Sequence, residues 1–173
     1  TVIATGMHMM EKFGYSIKEV KKSGLHIIGI NSVFRKDDKP SVLVFLSDFI
    51  EELTKKINKL KPNFILIVGD RIESLAGAIV GAYLSIPVVH FHGVEISSTV
   101  DEIARHAITK LSHIHLCATE KSAERIIRLG EEPFRVRVVG SPSLYHISKI
   151  KKIPKKRLFE KFGFDIAKPL VLV

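Results

Sequence analysis

Tryptophan is absent from this chain, and cysteine occurs once, at Cys117. A single cysteine excludes an intramolecular disulfide and suits a reducing compartment. Cys117 falls in the apolar run 114–118 and reads as a small buried hydrophobe rather than a nucleophile. Apolar runs are short, none approaching the roughly 18 residues of a membrane span. No charged-then-apolar leader opens the chain. Internal repeats, low-complexity tracts and any recognisable nucleic-acid module are also lacking. The expectation is a cytoplasmic protein with no membrane and no nucleic-acid partner.

What is present fits one full core. The 173 residues are 46% hydrophobic and 26% charged, too few for two ordinary domains. Twenty-seven Lys and Arg against 18 Asp and Glu give a formal charge of +9. Such a balance suits nucleic acid, an anionic small molecule or a solvated surface. Lys149, Lys151, Lys152, Lys155, Lys156 and Arg157 concentrate around Pro154 without aromatic interleaving, so the run reads as an exposed linker rather than a stacking platform.

Strand and helix patterns alternate along the chain. Strand character marks residues 1–4, 26–30, 64–68, 88–91, 114–118 and 136–139. Between them lie an amphipathic stretch at 16–22 and helical patterns at 41–60, 72–84 and 120–129. Residues 64–68 are continuously apolar, which predicts a strand buried on both faces. Ala76, Gly77, Ala78 and Gly81 allow the 72–84 helix to pack closely on a sheet. Repeated βα order implies a Rossmann-like three-layer α/β domain with a parallel sheet. It is expected over 1–143, with an interdomain linker and the start of a truncated second domain over 144–173. The chain opens in strand-like sequence without Met and closes in another, which reads as a partial protein.

Residues 90–113, HFHGVEISSTVDEIARHAITKLSH, carry the densest chemistry. Four histidines, three carboxylates and two basic residues stand where a strand delivers its loop to a helix. Gly93 breaks the strand, and Thr99 with Glu102 three residues on makes a capping box. Ligands of open α/β sheets bind at this strand-to-helix junction.

Each carboxylate also has a structural reading. Asp70 ends a strand before a helix, where Asp commonly caps. Asp101 sits in a first helical turn and can pair with Arg105 four residues on. Glu95 lies in a short loop with no capping spacing and is harder to dismiss. His90 and His92 alternate, and so would point to one side of a strand, as would His113 and His115. With Asp70, Glu95 and Asp101 they could form a metallohydrolase site, although the spacing fits no standard zinc signature.

The motifs resemble those of the UDP-N-acetylglucosamine 2-epimerase family, along essentially the whole chain. Val68-Gly69-Asp70-Arg71-Ile72-Glu73 is similar to its GDR-type motif. His90-x-His92-Gly93-x-Glu95 followed by Asp101-Glu102-x-x-Arg105-His106-Ala107-Ile108-Thr109-Lys110 resembles the hydrolysing branch, which serves sialic-acid-type nonulosonate synthesis. Thr5-Gly6-Met7-His8, Phe13-Gly14, Leu129-Gly130-Glu131 and Val139-Gly140-Ser141-Pro142 fit the same pattern. The resemblance implies the N-terminal half of a two-domain GT-B-type fold, with one strand missing near the sheet centre. A nucleotide-binding loop would precede Thr1, and most of the second domain would follow Val173. Two motif positions depart: Val94 replaces a usual glycine, and His92 stands where members carry either glutamate or histidine, leaving the second acid–base carboxylate open.

The implied reaction converts UDP-N-acetylglucosamine, or a related UDP-2-acetamido sugar, to UDP and the free manno-configured sugar. Asp70, Glu95 and Asp101 are then the catalytic candidates. Arg71, His92, Gly93, Arg105, His106 and Ser141 are the substrate-binding candidates. No cofactor and no metal are called for, and a homodimer or homotetramer is implied for the complete protein. The partial chain is expected to be inactive alone. The alternatives are a metal-dependent hydrolase using the His/carboxylate cluster, or a non-catalytic nucleotide-binding fragment.

Overall fold

The computed structural model describes residues 1–32, 34, 36, 38–93 and 100–171. These form two compact units, Thr1–Gly140 and Ser141–Val173. The first opens with strand β1 (Val2–Ala4), two 3₁₀ turns (Gly6–Met9 and Glu11–Phe13), helix α1 (Ile17–Lys21) and strand β2 (Ile27–Gly29). Helix α2 (Lys39–Leu60), β3 (Ile65–Val68), α3 (Ile72–Tyr83) and β4 (Val88–Phe91) follow. The unit then continues through α4 (Val100–Leu111), β5 (Ile114–Cys117), α5 (Glu120–Arg128) and β6 (Val136–Val138).

Among the described residues every strand pairing is parallel, as the βα alternation requires. The strands fall into two sheets, β1-β2 and β3-β4-β5-β6. The break between the two sheets lies between the first pair and β3. Register brings Val68 beside Phe91 and His90 beside His115.

Helix α2 starts two residues earlier than its apolar pattern suggests. Asp38 caps it, its carboxylate accepting from Ser41 N–H at 2.8 Å, and Pro40 fits the first turn because it has no N–H to satisfy. Lys61, left-handed at φ 46°, ends it before Pro62. Phe45, Phe49, Leu53 and Ile57 recur every fourth residue, and all are buried against Ile30 and the Ala76–Val80 face of α3. Burial of each such side chain contributes about 1.5–3 kcal/mol. A second cluster joins Ile67, Ala78, Val88 and Ile108, tying β3 and β4 to α3 and α4. A third joins Cys117, Ala123, Ile126 and Val136.

Strand β3 corrects one expectation. Ile67 is buried, but Leu66 and Val68 are 55% and 60% exposed, so only one face of the strand is covered. β3 is the edge of its sheet, and an unbroken apolar run cannot reveal which face a chain leaves open.

The second unit holds α6 (Pro142–Lys149) and α7 (Lys155–Phe162). Lys155, Lys156 and Arg157 open α7, for which Pro154 provides a start that lysine and arginine readily extend. No helix among the described residues is long and apolar enough to cross a membrane.

Candidate functional site

The site is built where β3 and β4 end side by side. Gly69, at φ 75°, turns the chain out of β3, a left-handed conformation that glycine adopts without steric cost. Its N–H donates to the Phe91 carbonyl at 3.0 Å, tying the turn to the end of β4. Asp70 follows, then Arg71, and α3 begins at Ile72. Ser74 Oγ donates back to the Val68 carbonyl at 3.0 Å and fixes the first turn of α3 against the strand.

Asp70 does not cap that helix; its carboxylate ion-pairs with the guanidinium of Arg105 on α4. Arg105, Ile108 and Thr109 stand three and four residues apart on one face of α4, and all three are buried. Ile108 packs with Val88 and Ile67, so this face meets the sheet. Arg105, only 6% exposed, demands a counter-charge, and Asp70 supplies one.

Beneath the pair lies His90, wholly buried. Its Nε2 is 2.9 Å from the Gly69 carbonyl and its Nδ1 3.4 Å from Thr109 Oγ1. Burial pushes its pKa down to about 4, against the opposing hydrogen bond to Gly69 and with help from the fields of His115 and Arg105. Both ring nitrogens thus face protein groups, which argues against their serving a metal. His92 also departs from expectation. β4 ends at Phe91, and His92 takes a left-handed φ of 62°, so it does not continue the alternation with His90. Its N–H donates to the Leu116 carbonyl at 3.1 Å, and its ring stands 4.7 Å from that of Phe91. Gly93 is buried against His90 and Thr109.

Arg71 sits at the rim, with Nε and Nη2 each 3.2 Å from the Glu73 carboxylate. Both residues line a cleft of about 370 Å³ with Met7, His8, Phe13 and Ser16. His106 is half-buried on α4. Ser141 occupies the N-cap position of α6, in the second unit. Glu95 and Thr99 lie outside the described residues, as does the side chain of Asp101.

A second charged cluster gathers on Glu131, 4% exposed. Lys110 Nζ is 2.5 Å from Oε1, and Arg135 Nη2 is 3.1 Å from Oε2. His115 Nε2, fully buried, is 3.4 Å from the same carboxylate. Burial raises the Glu131 pKa, but Lys110, His115 and Arg135 outweigh it and hold the carboxyl below its ordinary range. Burial depresses His115, with Glu131 opposing. His113 Nδ1 accepts from Val88 N–H at 3.2 Å. Burial lifts the Cys117 thiol to about 11, as suits a core residue rather than a nucleophile.

Motif spacing singled out Asp70 and Arg105 but not their mutual contact, and it left His90 between a structural and a metal-binding role. The available signal was His90's place two residues after Val88, on the same buried face of β4. Thr109, Gly69 and Glu73 drew no assignment, because their contacts join segments far apart in sequence.

The parallel βα sheets and the helices that flank them define a Rossmann-like α/β fold. The chain superimposes on the crystal structure of UDP-GlcNAc 2-epimerase from Neisseria meningitidis bound to UDP-GlcNAc. The TM-score is 0.63 at 19% identity, over 96% of this chain and 54% of that one. A putative UDP-N-acetylglucosamine 2-epimerase from Listeria monocytogenes gives 0.74 at 17% identity, over 94% and 43%. At such identities these matches establish the fold.

The family follows from sequence. The model for UDP-N-acetylglucosamine 2-epimerase matches residues 1–172, and this chain belongs to that family. It is 38% identical, over its whole length, to 46% of the UDP-N,N'-diacetylbacillosamine 2-epimerase (hydrolyzing) of Legionella pneumophila. It is 41% identical over 83% of its length to 37% of the UDP-N-acetylglucosamine 2-epimerase of Neisseria meningitidis serogroup B. The chain thus spans less than half the length of these relatives.

Proposed function

We propose that the complete protein is a hydrolysing 2-epimerase, releasing UDP and a free manno-configured 2-acetamido sugar from a UDP-2-acetamido sugar. Likeness to the Legionella hydrolysing enzyme along the whole chain carries this reading, and the Asp70–Arg105 pair supplies its geometry. The name of the Legionella relative favours UDP-N,N'-diacetylbacillosamine over UDP-N-acetylglucosamine as substrate. The enzyme would act in the cytoplasm, as a homodimer or homotetramer, in nonulosonate or sialic-acid synthesis.

The chemistry gives the residue types a reason. The C2 proton is not alpha to a carbonyl, so the C1–O bond breaks first, its electron pair leaving with UDP. Positive charge develops at C1 and the ring oxygen. A carboxylate then takes the C2 proton, and that C–H pair forms the C1=C2 double bond of a glycal. Water adds its oxygen to C1, while a proton returns to C2 on the opposite face. Carboxylates accept and return the proton and stabilise the cationic character. Asp70, Glu95 and Asp101 take these roles. Arg71, Arg105 and His106 are the candidates for the anionic diphosphate, and His92 and Gly93 for the sugar-nucleotide contacts, with Ser141 the candidate that the second unit offers.

The test is proton NMR of the full-length protein in deuterated water. UDP-N-acetylglucosamine and UDP-N,N'-diacetylbacillosamine are supplied in parallel. Free manno-configured sugar carrying deuterium at C2 is expected. Epimerised UDP-sugar without release, or protium retained at C2, overturns the proposal.

A further inference from the structure

His90 stands between the two supports of the Asp70–Arg105 pair. On one side, Nε2 is 2.9 Å from the Gly69 carbonyl oxygen. A carbonyl can only accept, so Nε2 carries the ring proton, and in the neutral ring Nδ1 is bare. On the other side, Nδ1 is 3.4 Å from Thr109 Oγ1, whose hydroxyl stands 3.0 Å from the Arg105 carbonyl. Gly93 closes the pocket: a Cβ there would come within 3.0 Å of Nδ1 and 3.2 Å of Thr109 Oγ1.

These contacts reach the pair directly. The Gly69 carbonyl belongs to the peptide that joins Gly69 to Asp70, so the bond from Nε2 sets the plane from which the Asp70 side chain departs. Gly69 is left-handed and without a side chain of its own, so this turn depends on external contacts to hold one orientation. Thr109 is one helical turn from Arg105 and faces the same way. The neighbouring positions on this buried face, Ile67 and Val88, are apolar. A histidine there incurs a desolvation cost, seen in its depressed pKa, that a valine or leucine would avoid. The charged and titratable groups acting on it come from every surrounding element: Asp70 after β3, Arg105 on α4 and His115 on β5.

We propose that His90 is a positioning residue: it holds the Gly69–Asp70 peptide through Nε2–H and abuts Thr109 on α4, so that Asp70 and Arg105 meet in one geometry. This rests on the reading of Asp70 and Arg105 as site residues, and adds a residue outside the substrate's reach.

Glutamine and methionine have similar length and volume, but only glutamine can donate to Gly69. The His90→Met and His90→Gln variants of the full-length protein are therefore compared by turnover, by KM for the UDP-sugar and by amide exchange at Gly69. His90→Met is expected to lose 10- to 100-fold in kcat with KM within about threefold, and to speed Gly69 exchange. His90→Gln is expected to stay within about fivefold of the parent in kcat and to restore the exchange protection. Equal kcat and exchange in the two variants overturns the proposal. Should His90→Met not fold, His90→Gln decides alone: a 100-fold loss in kcat overturns it. If the parent protein releases no sugar, the proposed reaction fails instead, and the exchange comparison still reads on His90.

Discussion

Arg105 of α4 closes an ion pair with Asp70, 35 residues earlier in the turn after β3, with its side chain only 8% exposed and that of Asp70 24%. The contact joins two motifs that sequence separates. It also explains why Asp70 leaves the N-terminus of α3 uncapped.

Removing either partner breaks a largely buried ion pair. A double-mutant cycle of Asp70→Asn and Arg105→Met, followed by chemical unfolding of the full-length protein, should give a coupling energy of about 1–3 kcal/mol. Additive effects, within about 0.5 kcal/mol, would show that the pair contributes nothing.

The isosteric amides test the proton transfers. Glu95→Gln, Asp101→Asn and Asp70→Asn keep shape but cannot relay a proton. Each is expected to lower turnover by about 10²–10⁴ with UDP affinity little changed. Steady-state kinetics beside UDP titration calorimetry separates the two effects, and near-normal turnover would return these residues to structural roles.

His90 makes stability fall with acid. Its folded pKa, about 4, is below the unfolded value of 6.5, so between these the unfolded chain binds the extra proton. Stability is complete above pH 6.5 and declines as pH drops towards 4; His115, also depressed, adds in the same direction. From pH 7 to pH 5 His90 alone should account for about 2 kcal/mol. Unfolding measured at both pH values should show that share vanish in His90→Gln.

Two glycines of α3 should respond oppositely to alanine. A Cβ on Gly77 meets only Ile67, at 3.9 Å, so Gly77→Ala should gain about 0.5–1 kcal/mol of helix stability. A Cβ on Gly81 would fall 2.3 Å from Val88 Cγ2, on a residue with no exposure, and 3.4 Å from the Ile86 carbonyl. Gly81→Ala should therefore cost about 1–3 kcal/mol despite its better propensity. Thermal unfolding of the two variants gives the signs.

Local patterns made much of this protein legible. The βα alternation, the 41–60 helical pattern and the small-residue face of α3 depend on interactions within a few residues, which sequence displays, whereas the Asp38 cap that starts α2 earlier lay outside that pattern. The same holds for the motif residues Asp70 and Arg105 and for the buried, unreactive Cys117. The residues of those motifs carried the resemblance to the epimerase family, and the family model over residues 1–172 establishes the membership.

Tertiary structure decided what depends on elements distant in sequence. The open face of β3 follows from what packs on the sheet, so the run 64–68 could not announce it. His92 leaves the strand one residue sooner than its alternation suggests, because β4 ends at Phe91 and the backbone turns left-handed. The Asp70–Arg105 pair and the place of His90 between Gly69 and Thr109 arise only when β3, β4 and α4 converge. Residue type and spacing determine which groups a chain can offer to chemistry. Which of them meet, and which are spent on holding the others, is set by packing between segments that sequence alone leaves independent.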